Sequence, residues 1–431
     1  MQKLLSFTFI LLFIALSAIS QDGPAPEQDG AIILASATIH VGNGEVIENG
    51  FIRFDKGKIT HVGKMATMKK LAGKVMDASG KHIYPGLIGM NSTLGLVEVG
   101  AVRASRDFRE VGAFNPNVRS IIAYNTDSKI TPTIRSNGVL MAEIVPRGGI
   151  ISGTSSVVQL DAWNWEDAAY KTDNGIHLNW PALMHRAGWW AEPKPDKKND
   201  MYKKNLDDIR KFFTEAKAYS QADPEIKDLR MEAMKGIFSG EKTLFVHANG
   251  VKEITSAIHF VRDFSILKMA IVGGRDAWMI TDLLKENNIA IVLNRVHGLP
   301  SNRHDDIDLP YKTPYLLQQA GILYCLNYAG DMEVMGLRNL PFTAGTAAAY
   351  GLSKEEALMA ITLNAAKILG IDKTTGSLEA GKDATLFIST GDALDMLANN
   401  VEMAFIQGRK IDLNNHQKAL YEKFRKKYEG G

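Results

Sequence analysis

The sequence contains very little cysteine and no concentration of positive charge. Among its 431 residues there is one cysteine, Cys325, so an intramolecular disulfide is excluded and stability must come from the core. Cys325 lies in the apolar stretch GILYCLNY, which predicts a buried strand thiol. The formal net charge is only +2, and the basic residues are scattered, which argues against a nucleic-acid partner.

Two common catalytic motifs are also missing. No G-x-S-x-G elbow occurs, so a serine-hydrolase triad has no motif support. No G-x-G-x-x-G fingerprint occurs either, which argues against a nucleotide cofactor. The composition, 45% hydrophobic and 23% charged, is that of a globular protein with a large core.

The most apolar long run stands at the N-terminus, from Leu4 to Ala18 after Lys3. Small residues follow it, which predicts a secretory signal peptide over residues 1–20, cleaved before Gln21. An uncleaved membrane anchor is the alternative, although a bilayer span takes about 20 apolar residues. The protein is therefore expected to be exported, to the periplasm or beyond, and not to be an integral membrane protein. Residues 21–30, rich in Pro, Gly, Asp and Gln, predict a flexible lead-in.

Short alternating strands with Gly and Asn turns fill both ends of the chain. Residues 31–84 and 376–412 together predict one composite β-sandwich domain. Residues 413–431 predict a basic helix or tail.

The middle of the chain, residues 85–375, alternates strand and helix patterns, which is typical of βαβ units. This rhythm is compatible with a doubly wound sheet and with a closed (β/α)₈ barrel. GVLMAEIVPRGG supplies an early strand, ISGTSSVVQL is a candidate for another, and the fourth strand is not placed. Residues 171–240 predict either a helical surface insertion or a lid over the barrel mouth.

The stretch YPGLIGMNSTLGL, residues 84–96, resembles the first barrel strand of the metal-dependent amidohydrolase superfamily. Toward the C-terminus, LNAAKILGI and GSLEAGKDATLFI resemble the motifs that follow the barrel in that superfamily. Within it, the chain is most similar to secreted, imidazolonepropionase-like amidohydrolases. The resemblance implies an α/β fold, a (β/α)₈ TIM-like barrel with a small β-sandwich domain formed by both termini.

The resemblance also implies a divalent metal ion such as Zn²⁺, which lowers the pKa of a bound water and polarises a carbonyl group. Its ligands would be two histidines on strand one, histidines on strands five and six, and an aspartate on strand eight. Strand one has Asn91 and Thr93 at the histidine positions, and strand eight has Asn327 near the aspartate position. Of the implied imidazoles, His247 on strand five is retained and is the candidate metal ligand.

The candidate catalytic residues are His247, Asp331 and His297. The candidate substrate-binding residues are Asn91, Thr93, Arg103 and Asn327.

Two functional hypotheses follow. In the first, the protein is a divergent exported amidohydrolase that cleaves C–N bonds of a small amide-like substrate through an atypical or degenerate metal site. In the alternative, it is a non-catalytic pseudo-amidohydrolase that serves as a binding or scaffold protein. A homo- or hetero-oligomer is compatible with both.

Overall fold

The structure is a computed structural model that describes residues 23–189, 192–222, 224–301, 304–328 and 333–429. The predicted signal peptide lies outside the described residues. In chain order the strands are β1 Ile32–His40, β2 Val46–Asp55, β3 Lys58–Lys64, β4 Lys74–Asp77, β5 His82–Pro85, β6 Leu87–Ser92, β7 Val139–Ile144, β8 Ile151–Gln159, β9 Ala169–Asn179, β10 Met184–Trp189, β11 Glu192–Lys198, β12 Thr243–Ala248, β13 Met269–Gly273, β14 Ala290–Leu293, β15 Tyr324–Leu326, β16 Leu386–Ser389, β17 Val401–Ile406 and β18 Arg409–Ile411.

The helices are α1 Thr131–Arg135, α2 Trp165–Ala168, α3 Tyr202–Gln221, α4 Leu229–Ser239, α5 Val251–Phe264, α6 Thr281–Glu286, α7 Leu309–Gln319, α8 Glu333–Gly336, α9 Leu340–Ala349, α10 Lys354–Met359, α11 Leu363–Leu369 and α12 His416–Glu429. Within the described residues, no helix is long and apolar enough to cross a bilayer.

Strands from the two ends of the chain share one sheet, in the order β18-β17-β16-β5-β1-β2-β3, with β4 paired to β1. The link between the ends is the antiparallel pair of β16 with β5. This sheet has its own apolar core, which includes Ile52, Phe54 and Phe405. The predicted union of both termini in one β-rich unit is confirmed.

The second large sheet has the order β6-β7-β8-β9-β12-β13-β14-β15. All neighbours are parallel except β8, which runs antiparallel to both β7 and β9. Between the two outer strands lies the backbone that joins α10 to α11. Ile361 O accepts from Ile88 N of β6 at 3.0 Å, and Ala360 O accepts from Leu326 N of β15 at 2.9 Å. These bonds complete an almost closed barrel, so the predicted barrel fold is confirmed.

The stretch over residues 84–96, predicted as one barrel strand, is divided between the two sheets. β5 ends at Pro85 in the terminal sheet, and β6 begins at Leu87 in the barrel. Gly86 makes the crossing, and its N–H donates to Thr385 O at 2.9 Å. A Cβ atom on Gly86 would lie 2.8 Å from Thr385 Cγ2 and 3.1 Å from Leu140, so the approach requires glycine.

The segment predicted as an insertion, residues 171–240, contains strands as well as helices. The fourth barrel strand, which the sequence left unplaced, is β9, and it lies at the start of the segment predicted as an insertion. The rest of that segment forms the hairpin β10–β11 and the helices α3 and α4. The charged stretch EPKPDKKND lies largely within β11, which pairs antiparallel with β10.

The predicted flexible lead-in is anchored over its described part, residues 23–30. Ala25 N donates to the Asp161 carboxylate at 2.9 Å, and Arg409 donates to both Ala25 O and the same carboxylate. Gln28 accepts from Gly57 N at 2.8 Å. These partners come from distant parts of the chain, which composition does not report, and the flexibility of the segment stays a prediction.

Cys325 is buried in β15, as predicted. It belongs to an apolar layer inside the barrel with Met90, Met141, Phe245 and Val292. This layer fills the barrel interior below the carboxyl ends of its strands, so the polar groups above it contact apolar side chains on that side.

Candidate functional site

Polar side chains from four neighbouring barrel strands meet above this apolar layer. They are Glu143 on β7, Ser155 on β8, His177 on β9 and His247 on β12. Side chains two residues apart on a strand share a face. Met141 and Phe245 line the apolar barrel interior, so Glu143 and His247 stand one layer further toward the mouth.

Glu143 is a buried carboxylate, with a side chain that is 1% exposed. Its Oε2 accepts from Asn91 N at 3.2 Å. Its Oε1 accepts from Ser155 Oγ at 3.0 Å and from Asn174 Nδ2 at 3.4 Å. Three donors offset much of the cost of removing this group from water.

The two histidines are in direct contact. His177 Nδ1 lies 2.9 Å from His247 Nε2, and His177 Nε2 lies 3.5 Å from Glu143 Oε1. His177 is fully buried and stacks on Phe245, with ring centroids 4.8 Å apart. His247 is partly exposed at the end of β12. The three groups therefore form a chain from the buried carboxylate to the barrel mouth.

Arg147, just beyond β7, holds the first strand of the barrel. Its guanidinium donates to Asn91 Oδ1 at 2.8 Å and to Asn91 O at 2.7 Å. Asn91 adopts a left-handed backbone conformation, with φ of +51°, which asparagine tolerates better than most residues. That conformation lets one residue donate to Glu143 through its N–H and accept twice from Arg147.

The protonation of the cluster follows from this packing. Burial lowers the pKa of His177 and lowers that of His247 well below its usual range, and the positive charge of Arg147 acts in the same direction on both. Burial alone would raise the pKa of Glu143, but His177, Asn91 N and Ser155 lower it below its usual value. Near neutral pH the cluster thus contains an ionised carboxylate and two neutral imidazoles.

This arrangement makes the folded state sensitive to acid. The unfolded chain binds protons at these histidines below about pH 6.5, whereas the folded cluster resists protonation. Stability contributed by neutral His177 and His247 is complete above that pH and is lost as pH falls. We expect the free energy of unfolding to drop by up to about 1.4 kcal/mol per pH unit for each histidine. Urea unfolding at pH 7.5, 6.5 and 5.5 measures this slope.

The matched comparison is His177→Gln against His61→Gln, because His61 is exposed on β3. The first substitution should flatten the acid slope, and the second should leave it unchanged. An equal slope in all three proteins would contradict the assignment.

The structure brings some predicted site residues together. Asn91 and His247 both belong to the cluster described above. Thr93 is buried after the end of β6, and Asn327 is fully buried after the end of β15. Neither polar atom of the Asn327 side chain has a hydrogen-bond partner among the described residues.

Other predicted residues lie elsewhere. His297 Nε2 pairs with Thr346 Oγ1 of α9 at 2.6 Å, and its described contacts include none to His247. Arg103 is exposed in a short turn within the loop after β6, and no described contact links it to the cluster. Both positions were predicted from chain order, which does not determine the direction of a loop side chain. Asp331 lies outside the described residues.

Sequence reasoning missed Glu143, Arg147, Ser155, Asn174 and His177. A carboxylate in the apolar run VLMAEIV was a usable signal, since a charged residue is seldom buried without partners. His177 had no comparable signal, because β9 was not recognised as a barrel strand.

The polar side chains at the barrel mouth do not suit the divalent metal ion that the resemblance implies. Asn91 Oδ1 already accepts from a guanidinium, and the facing nitrogens of His177 and His247 are joined by one hydrogen bond. Amide and hydroxyl oxygens at the remaining positions are weak ligands for Zn²⁺. Within the described ranges, no group of three or more His, Cys, Asp or Glu is arranged to hold a metal ion. The described residues therefore do not fit a zinc centre.

Comparison with known proteins agrees with this architecture. Residues 319–411 match the family described as Amidohydrolase family. An imidazolonepropionase from Mesorhizobium japonicum is 24% identical over 389 residues, which covers 82% of this chain and 90% of that protein.

Solved structures share the fold. An amidohydrolase from Thermotoga maritima MSB8 superposes with a TM-score of 0.77 at 24% identity, covering 88% of this chain and 99% of that one. A zinc-bound adenosine deaminase from Xanthomonas campestris gives a TM-score of 0.52 at 14% identity, covering 93% and 98%. The matched family region, the similarity to an imidazolonepropionase and the shared barrel fold together support an amidohydrolase-superfamily member.

Proposed function

We propose that this chain is an exported, metal-independent binding protein built on an amidohydrolase barrel, which takes a small amide-like molecule at the barrel mouth. The observation that carries the proposal is the pair of hydrogen bonds from Arg147 to Asn91. A fixed cation is bonded to the residue at a metal-ligand position of strand one. A divalent cation there would meet both a like charge and an oxygen that is already engaged.

The ligand class follows from the neutral polar groups of the mouth. His247 is a partly exposed neutral imidazole at the mouth, and the buried Asn327, just after β15, carries an amide with both polar atoms unpaired among the described residues. Such groups suit a neutral ligand with hydrogen-bond donors and acceptors, as in an amide. Export is inferred from the charged and apolar pattern of residues 1–20.

A metal-dependent hydrolase acting on C–N bonds is the second candidate. The retained imidazole of His247 at the end of β12 and the relationship to an imidazolonepropionase favour it. The hydrolase requires a bound metal ion and the binding protein does not. Metal content and amide hydrolysis, measured on one purified preparation, therefore distinguish the two candidates.

The full-length gene should be expressed in a bacterium and the exported protein purified without chelators. We expect an intact mass that begins at Gln21, zinc and manganese far below one ion per chain, and no hydrolysis of cyclic and linear amides. Ligand-observed NMR with the same amides should show binding that His247→Ala weakens. His61→Ala is the control, since His61 lies on β3 of the terminal sheet.

Near-stoichiometric zinc that is lost in His247→Ala, together with chelator-sensitive hydrolysis, would overturn the binding proposal in favour of the hydrolase. Retention of the full mass by protein found in the cytoplasmic fraction would overturn the export proposal alone.

A further inference from the structure

We infer that Glu143 and His177 are positioning residues that fix the tautomer of His247, so that its Nδ1 atom is presented as a hydrogen-bond acceptor at the barrel mouth. The ligand consequence rests on the proposed binding function: a molecule held by His247 must bring an N–H or O–H donor. The tautomer itself is a property of the free protein.

The positions of the protons on the two histidines depend first on Glu143. Asn91 N, Ser155 Oγ and Asn174 Nδ2 all lie within hydrogen-bond distance of its two oxygens. The Asn91 donor is a backbone N–H, which cannot reverse its role. A group surrounded by donors in this way is held as an acceptor, which is the role of an ionised carboxylate.

The second step is the orientation of His177. Its Nε2 lies 3.5 Å from Glu143 Oε1, which is longer than a normal hydrogen bond, and the ring is fully buried. A lone pair on Nε2 would face a buried negative charge at this distance, whereas an N–H is attracted to it. We therefore place the proton of neutral His177 on Nε2. Its Nδ1 is then an acceptor.

The third step follows from the contact between the rings. His177 Nδ1 and His247 Nε2 are 2.9 Å apart, so one proton must lie between them. Because His177 Nδ1 accepts, His247 Nε2 carries the proton. A neutral imidazole holds only one, and His247 Nδ1 is left with a lone pair.

That lone pair is available to a ligand. No group in the described part of the chain hydrogen-bonds to His247 Nδ1, and the residue is partly exposed where β12 ends. A lactam or other amide N–H complements it. A lactone or an N-alkylated amide of the same shape does not, because each has acceptors only.

Nitrogen-15 NMR on protein labelled with [¹⁵N]histidine tests the tautomers at pH 7.5. His177→Gln and His247→Gln assign the two ring signals. We expect both rings to be protonated at Nε2 in the wild-type protein. A wild-type His247 protonated at Nδ1 would overturn the inference without affecting the proposed function.

Glu143→Gln makes a sharper test. The backbone N–H of Asn91 requires the glutamine oxygen at the Oε2 position, which directs the amide NH₂ toward His177 Nε2. His177 Nε2 must then accept, and both tautomers should invert, leaving His247 protonated at Nδ1. A purely structural role for Glu143 would not invert them. Unchanged tautomers in a folded Glu143→Gln protein would therefore contradict the positioning role of Glu143 and His177.

The ligand requirement is tested with 2-pyrrolidinone, N-methyl-2-pyrrolidinone and γ-butyrolactone as probes. We expect 2-pyrrolidinone alone to shift the His247 Nδ1 resonance in the wild-type protein, and not in Glu143→Gln. Equal shifts with all three probes would overturn the donor requirement. If the tautomers are as inferred but no probe in this series or the wider amide panel binds, the proposed binding function fails while the inference about the His247 tautomer stands.

Discussion

Replacing Glu143 with leucine is expected to lower the free energy of unfolding by about 3–5 kcal/mol, the range found when one partner of a buried charged network is removed. Leucine fills a similar volume, so the loss does not come from a cavity. It comes mainly from Asn91 N and Asn174 Nδ2, which lose a buried acceptor, whereas Ser155 Oγ still has Asn174 Oδ1 at 3.3 Å. Chemical denaturation at pH 7.5, followed by circular dichroism, measures the difference.

Glu215→Leu is the matched control, because Glu215 is exposed on α3 and a surface change of this kind typically stays within about 0.5 kcal/mol. Glu143→Gln should be intermediate, since it keeps one acceptor oxygen. A Glu143→Leu protein as stable as the wild type would show that these donors find other partners and that the buried network is not a source of stability.

Replacing Arg147 with methionine is expected to reduce the free energy of unfolding by about 2–4 kcal/mol, on the basis of two charge-assisted hydrogen bonds of about 1.5–3 kcal/mol each and partial exposure of the side chain. The strained turn at Asn91 then loses the donors that hold its carbonyl and side-chain oxygens. The same change removes a positive charge that lowers the pKa of His177 and His247, so both pKa values should rise.

Arg103→Met is the control, because Arg103 is exposed and has no described contact with the cluster. Arg147→Lys should recover part of the charge effect on the histidine pKa values. It should not restore both hydrogen bonds to Asn91, since an ammonium group lacks the planar, two-nitrogen geometry of a guanidinium. Histidine NMR titration and chemical denaturation report the two effects separately. Unchanged histidine pKa values in a folded Arg147→Met protein would contradict the electrostatic role given to Arg147.

Much of the architecture was predictable from local pattern. Alternating strands, turn residues and helical periodicity give the order of elements, and the resemblance at residues 84–96 favours a barrel over a doubly wound sheet. Local pattern does not show where a strand passes from one sheet to another. The division at Gly86 depends on how closely its backbone approaches Thr385 and Leu140, which belong to other parts of the chain.

The candidate site was predictable only where a motif pointed to it. Asn91, Thr93, Asn327 and His247 were found by position within a resemblance. His177 lies on β9, which follows the antiparallel strand β8. The strand-helix alternation expected of βαβ units is interrupted there, so the strand that carries the second imidazole was not recognised. The predicted roles of His297 and Arg103 remain predictions, and the structure places neither beside His247.

By itself, the sequence determined that disulfides play no part within the chain, that both termini are β-rich, and that strand one carries amide and hydroxyl groups at positions where imidazoles are expected. Only the tertiary structure decided what stands there instead. Arg147 is 56 residues from Asn91, and His177 is 70 residues from His247. Such contacts depend on strand register and on closure of the barrel, and these are set by the packing of the whole core rather than by the residues that meet.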